Sequence, residues 1–267
     1  MQLDFRNRNI IVLGSSDGIG LQVALQLAQN NANACIVGRD IAKLEAAYAK
    51  INEISRKNHQ NIYVNCDLTN PNSVNEIWSQ VTAKWNGKVD SIVLNAGGPP
   101  FVKNSVDVPI LDWHTYFQSL FLSQITLVSK CIDSMKANGF GRIVSISSST
   151  IIEPAPGLVI SSAIRSALAA WLKTLANEVA IHGITVTTVP IGKVATKRLE
   201  KLDSVRAETN SSSIQEVINA NSANIPVGRY GTVEEAANVI TFLLSEYSSY
   251  INGSLVHIDG GSMKKCL

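Results

Sequence analysis

The sequence predicts a single α/β domain, an open, doubly wound parallel sheet with helices on both faces. Three observations carry that expectation. Short β-branched runs alternate with longer helical patterns almost from end to end. The first run stops at a glycine-rich turn, Gly14-Ser15-Ser16-Asp17-Gly18-Ile19-Gly20, and a helical pattern follows at once. No Pro/Gly linker, internal repeat or low-complexity tract divides the 267 residues, and a chain of that length suits one large core. Repeated strand–helix–strand units permit little else, because right-handed crossovers set the helices on the two sheet faces.

Taken in order, Asn9 to Leu13 forms the first strand, a compact apolar run. The helix after the glycine turn carries Ile19, Val23 and Leu27 at four-residue spacing, hence on one face. Ala34 to Val37 is the second strand, and Asp40 then caps the next helix. Asn61 to Val64 is the third, with Thr69 to Pro71 opening a helix behind it. Val89 to Leu94, Arg142 to Ile146, Thr185 to Val189 and Leu255 to Ile258 continue the series. Between the fifth and sixth, Ile164, Leu168, Trp171 and Leu175 mark a long helix by their apolar stripe. The one compositional shift is Ser204 to Ser222, rich in Ser, Asn and Glu. It reads as a polar excursion beside a ligand cleft, spanning about residues 196–225, or as an ordinary polar helix pair.

Composition excludes several classes. The net charge of +2, with 16% charged residues and no basic stripe, argues against a nucleic-acid partner. No apolar run approaches the ~20 residues of a membrane helix, and the start, Met1 to Arg6, has no secretory h-region. Cys35, Cys66, Cys131 and Cys266 lie far apart without Cys-x-x-Cys spacing, so neither a zinc site nor a disulfide framework is expected. Histidine is scarce and never at metal-ligand spacing, so no metal is expected either. The expectation is a soluble cytoplasmic protein acting on a small molecule.

In a doubly wound sheet the ligand cleft lies at the carboxyl ends of the strands. The glycine turn sits there, and glycines let a pyrophosphate approach the free N–H groups that open a helix. Gly14, Ser15, Ser16, Gly18, Ile19 and Gly20 are therefore the candidate dinucleotide cradle.

The glycines are spaced Gly-x-x-x-Gly-x-Gly, and with further motifs the chain resembles the short-chain dehydrogenase/reductase family over nearly its whole length. These motifs are Cys66-Asp67-Leu68, Asn95-Ala96-Gly97, Gly141-Arg142-Ile143-Val144 leading to Ser147-Ser148, Pro226-Val227-Gly228-Arg229, Phe242-Leu243-Leu244-Ser245 and Ile258-Asp259-Gly260-Gly261. The resemblance implies a Rossmann-type fold, with Asp67 and Leu68 bordering the adenine and Asn95, Ala96 and Gly97 on the nicotinamide side. It also implies that the segment from Pro190 to Thr196 passes over the carboxamide. Local readings stay open, Asp67 as a helix N-cap and Asn95 as a turn residue. It further implies a homotetramer or homodimer, paired through two long helices, Pro109 to Ala137 and Gly157 to His182, and the last strand, Ser254 to Gly261.

The acid that binds the ribose in NAD-dependent relatives is here Gly38, followed by Arg39, whose guanidinium suits a 2′-phosphate. Asp17 opposes this, since relatives that bind NADP often carry a basic residue there. NADP(H) is favoured over NAD(H).

Catalysis in the family uses Ser, Tyr and Lys, helped by Asn. Ser148 occupies the Ser position. The Tyr-x-x-x-Lys pair falls on Ser161 and Arg165, and the Asn position on Leu120. Ser161 and Arg165 share a helix face, yet a serine is a poor acid beside a phenol, and an arginine, which can still hold the nicotinamide ribose hydroxyls, keeps its proton. Lys193 and Lys197 are candidate substitutes for the missing acid, or plain surface charges. Gly97 to Phe101 is expected to wall the substrate cleft, while Trp113, His114, Tyr116 and Phe117 pack or meet another subunit. A variant branch similar to 3-oxoacyl carrier-protein reductases shares Asn-Ala-Gly-Gly-Pro-Pro and the Arg for Lys exchange. The leading expectation is an NADP(H)-dependent oxidoreductase of carbonyl or alcohol substrates with a non-standard acid/base site. The alternatives are a dinucleotide-binding sensor or scaffold without turnover, and a non-redox lyase or hydratase.

Overall fold

The computed structural model describes residues 2–264; Cys266 lies outside them. The strands are β1 (Asn9–Val12), β2 (Asn33–Gly38), β3 (Ile62–Asn65), β4 (Ser91–Leu94), β5 (Gly141–Ser148) and β6 (Ile184–Ile191). The helices are α1 (Gly18–Gln29), α2 (Ile41–Ile54), α3 (Ser73–Trp85), α4 (Ile110–Phe117), α5 (Ser123–Asn138), α6 (Val159–Val179), α7 (Lys197–Thr209), α8 (Ile214–Ala223) and α9 (Val233–Leu244). The sheet order is β3-β2-β1-β4-β5-β6, and every pairing is parallel. The order reverses between β1 and β4, and a ligand crevice opens at such a switch point.

β1, β2, β4, β5 and β6 are buried on both faces, as runs without polar alternation require, whereas the edge strand β3 exposes Tyr63 and Asn65. Ile11 and Leu13 pack with Leu127 and Leu168 of α5 and α6, while Ile10 and Val12 pack with Val23, Leu27 and Ile240 of α1 and α9. Asp40 caps α2 as expected, accepting from the Lys43 N–H at 3.2 Å.

Three expectations need correction, and one of the two readings of the late polar stretch is met. Leu255 to Ile258 does not form a continuous seventh strand. It touches β6 through isolated parallel bridges, Thr188 to Leu255 and Ile191 to Ile258. The Val256 and Ile258 N–H groups donate to the Thr188 and Pro190 carbonyls, at 2.9 and 3.1 Å. Pro190 has no N–H to return, so the ladder breaks there. α3 starts at Ser73 rather than at Thr69, because Asp67 to Ser73 is taken up by turns that spend the Asn70 and Ser73 N–H groups. The stretch from Pro109 to Ala137 is not one regular helix, since a π turn over Gln118–Leu122 separates α4 from α5. Finally, the polar stretch late in the chain is a helix pair, α7 and α8, with side chains of α7 reaching the cleft.

Candidate active site

At the carboxyl ends of β1, β4, β5 and β6 lies a cavity of about 360 Å³. Gly14, Gly18 and Ile19 line one side, Ser147, Ser148, Ser161 and Arg165 another, and Thr196 to Leu199 of the α7 entrance a third.

The glycine turn is fixed from beneath. Gly14 has φ +58°, a left-handed conformation that favours glycine. A Cβ on Gly20 would lie 2.4 Å from the Gly14 carbonyl oxygen, so no larger residue fits. Asn95 ties β4 to this turn by donating from Nδ2 to the Gly14 carbonyl at 3.0 Å. It is thus a cross-strand tie rather than a plain turn residue. Ser15 does not line the cleft. It is fully buried, its Oγ donates to the Val12 carbonyl at 2.6 Å and accepts from the Val37 N–H at 2.9 Å. Its role is to join β1 to β2.

α1 opens with Asp17 as cap, accepting from the Gly18 N–H at 2.8 Å. The next N–H to bond back is that of Leu21, on the Asp17 carbonyl. The Ile19 and Gly20 amides keep their donors for an anion, which fits a bound pyrophosphate. Lys197 pairs with Asp17 at 2.9 Å across the mouth of the cleft. Its ammonium holds the Asp17 carboxyl below the usual carboxylate range and offsets the charge that opposed a phosphate there.

Beside the glycine turn stands the carboxyl end of β2. A Cβ on Gly38 would stand 3.1 Å from both Cβ and Oγ of Ser16, so Ser16 fills the space an acidic side chain there would need. Arg39 follows, exposed. Asp67 is no helix cap but closes a small turn, accepting from the Thr69 N–H at 3.0 Å. Neither Asp67 nor Leu68 lines the cavity.

On the catalytic side, Arg165 is buried and donates from Nη1 to the Ile146 carbonyl at 3.0 Å and from Nη2 to the Ala96 carbonyl at 3.2 Å. It thereby clamps the ends of β5 and β4. Burial, then the nearby Arg198 cation, pushes its guanidinium down to about 10, which leaves it charged at neutral pH. Ser148 Oγ accepts from the Thr150 N–H at 3.2 Å and lies 3.0 Å from the Thr150 hydroxyl. Ser161 sits at 8% exposure on the first turn of α6. The Ser147 hydroxyl is buried with no hydrogen-bond partner among the described residues. Leu120 lies within the π turn and is fully buried in an apolar cluster with Ala96, Ile160 and Ile164, so no helper amide stands there.

Lys193 lines a different cavity, beside Arg229, Glu235 and Asp259, and burial lowers its ammonium. It is therefore not the substitute acid. Lys197 is at the cleft but engaged by Asp17. Gly97 and Gly98 wall the cleft as expected, whereas Pro99 to Phe101 stand outside its lining. Trp113 and Tyr116 pack against the Leu120 cluster, and Phe117 stacks on Phe121 at 5.0 Å. Sequence reading missed Arg198, at the start of α7. Its Nη2 donates to the Pro99 carbonyl, and its guanidinium lies over Gly98, where an added Cβ would be 3.0 Å from Nη2. Nothing in a local motif marks it, since α7 brings it from across the cleft.

Among the described residues no group of His, Cys, Asp or Glu could hold a metal, and no helix is long and apolar enough to cross a membrane. Cys35, Cys66 and Cys131 are buried and unpaired, and burial pushes the Cys66 thiol up to about 12.

A family model described as enoyl-(acyl carrier protein) reductase matches residues 14–263. The NADPH-dependent reductase BacG of Bacillus subtilis is 29% identical over 259 residues, covering 96% of this chain and 98% of that protein. The 3-oxoacyl-[acyl-carrier-protein] reductase FabG of Rickettsia bellii is 30% identical over 263 residues, covering 98% and 99%. Among solved structures, L-sorbose reductase from Gluconobacter frateurii, complexed with NADPH and L-sorbose, superposes with a TM-score of 0.91. It is 26% identical, covering 99% of this chain and 100% of that one.

Proposed function

The chain belongs to the short-chain dehydrogenase/reductase family, and on that premise we propose that it is an NADP(H)-dependent oxidoreductase of small carbonyl or alcohol substrates working without the usual acid/base pair. The observation that carries this is one cavity lined by the α1 glycine turn on one side and by Ser148, Ser161 and Arg165 on the other. The free Ile19 and Gly20 amides, Ser16 beside Gly38, and Arg39 fit a phosphorylated dinucleotide. NADPH supplies a hydride for a carbonyl carbon when bound there. Ser148 orients the carbonyl oxygen with its hydroxyl, and the fixed Arg165 cation stabilises negative charge developing on that oxygen without giving up a proton. Ser161 carries a proton from water to the resulting alkoxide. Replacing a positioned phenol by this route costs about 10²–10⁴ in rate, so slow turnover is expected.

A second reading, dinucleotide binding without turnover, draws on the absence of any tyrosine from the cavity lining. One experiment separates the two. NADPH and NADH are titrated by fluorescence, and carbonyl panels are then run at high enzyme loading. Binding with product supports the oxidoreductase, binding without product the second reading, and binding of neither cofactor refutes both. An assembly of two or four chains belongs to the same proposal. Ile110 and Leu111 on α4 are about 70% exposed, at 71% and 70%, and light scattering tests it.

A further inference from the structure

The charges on the cleft wall do not balance. The lining includes one carboxylate, Asp17, and Lys197 already holds it at 2.9 Å. Arg165 and Arg198 line the same cavity with no acidic partner among the described residues. Both guanidiniums are anchored to backbone carbonyls of a single short segment, Arg165 on Ala96 and Arg198 on Pro99. Arg198 is close enough for its cation to disfavour the charge on Arg165. Two partly dehydrated cations facing one cavity are costly unless an anion joins them. The cofactor's own phosphates do not meet this need. They belong at the α1 entrance beside Gly18, whereas Arg198 overhangs Gly98 on the segment that follows β4. Gly97, between the two anchor points, has open space where a side chain would start. Leu158, Leu199 and Leu202 supply part of the apolar wall.

We propose that the substrate of this site carries a carboxylate, bound by the Arg198 guanidinium and the outer edge of Arg165, which makes Arg198 a specificity-determining residue. This rests on the oxidoreductase reading for its chemistry, although the anion site itself is a binding property. A guanidinium matches a carboxylate with two parallel hydrogen bonds. A cavity of about 360 Å³, shared with the reactive end of the cofactor, restricts the substrate to a short oxo acid.

The test uses pyruvate, 3-oxobutanoate and 4-oxopentanoate, each beside its neutral methyl ester, with dihydroxyacetone phosphate as a phosphate arm. With NADPH, at least one acid is expected to exceed its ester about tenfold in kcat/KM. Arg198→Met removes that preference by raising KM for the acids until acid and ester kcat/KM converge, and Arg198→Lys restores part of it. Equal turnover of acids and esters overturns the carboxylate site but leaves the oxidoreductase reading intact. Preference for dihydroxyacetone phosphate over every acid overturns the carboxylate assignment in favour of a phosphate. If no substrate turns over, the oxidoreductase reading fails and the bound NADPH reports instead. Oxo acids that shift its fluorescence in the wild type but not in Arg198→Met uphold the anion site, and no shift in either refutes it.

Discussion

Arg39→Ala separates the two nicotinamide cofactors. Arg39 stands after β2, exposed, with no ion pair among the described residues, so its removal breaks nothing within the protein. A guanidinium–phosphate contact contributes about 1.5–3 kcal/mol, and the exposure of this side chain sets it at the lower end. At about 1.4 kcal/mol per factor of ten, NADPH affinity falls about tenfold. NADH, with a hydroxyl at the same place, stays within about twofold. Two controls follow from the physics. Screening shrinks the difference as the Debye length drops from about 10 Å at 0.1 M salt to about 3 Å at 1 M. Protonation of the phosphate, with a second pKa near ~6, shrinks it again in mild acid. Fluorescence titration of both cofactors, at two salt concentrations and two pH values, reads all of this. An equal loss for NADPH and NADH, or no loss for either, refutes the 2′-phosphate role.

Other perturbations bear on the rest of the site. Arg165→Met leaves the Ile146 and Ala96 carbonyls bare at about 1–3 kcal/mol each. Relief of a buried charge offsets part of that, so Tm should fall by roughly 5–12 °C in calorimetry; a fall under about 2 °C contradicts the clamp. Gly20→Ala drives a methyl to 2.4 Å from the Gly14 carbonyl, and NADPH binding should vanish in titration while circular dichroism still reports the fold. Asp17→Asn removes a carboxylate from the phosphate site and should tighten NADPH about threefold; weaker binding would mean the ion pair to Lys197 is what shapes the entrance. The Asp17 carboxyl is depressed by Lys197, so its contribution is complete above the unfolded value near ~3.9 and disappears as pH falls through the lower folded value. Wild-type NADPH binding should therefore show no difference from Asp17→Asn in its pH dependence between pH 5 and 9.

The fold was legible because its signal is local. Ile10 to Leu13 and the glycine turn specify a strand, a bend and a helix start within a dozen residues, and repetition of that unit fixes the sheet. The end of the chain was misread for an equally local reason. Leu255 to Ile258 has strand composition, but its partner strand carries Pro190, and the missing N–H lies on the other segment. Side-chain roles were harder to read. Ser15 sits inside a phosphate-binding motif yet faces β2, because its side chain meets the Val37 N–H from a strand 22 positions away. Lys193 and Lys197 are four apart, yet they line different cavities on two sides of the segment leading into α7. Arg198 was invisible for the same reason, since only the packed position of α7 sets it over Gly98.

On the proposed reading, Ser161, Arg165 and Arg198 form one change of chemistry. A lysine at 165 would offer a single compact ammonium, whereas the planar guanidinium reaches two carbonyls on two strands. That clamp fixes a charge that cannot take part in proton exchange, so a phenol one turn earlier would have no relay to join. Ser161 in its place leaves room on the cleft wall, and α7 brings a second cation towards that space. Under that proposal, a site that donates a proton through a tuned phenol becomes one that holds negative charge with fixed cations. Such a site loses speed, because a general acid contributes a factor of about 10²–10⁴. It gains selectivity, because a neutral carbonyl leaves two buried charges unmet whereas an oxo acid meets them.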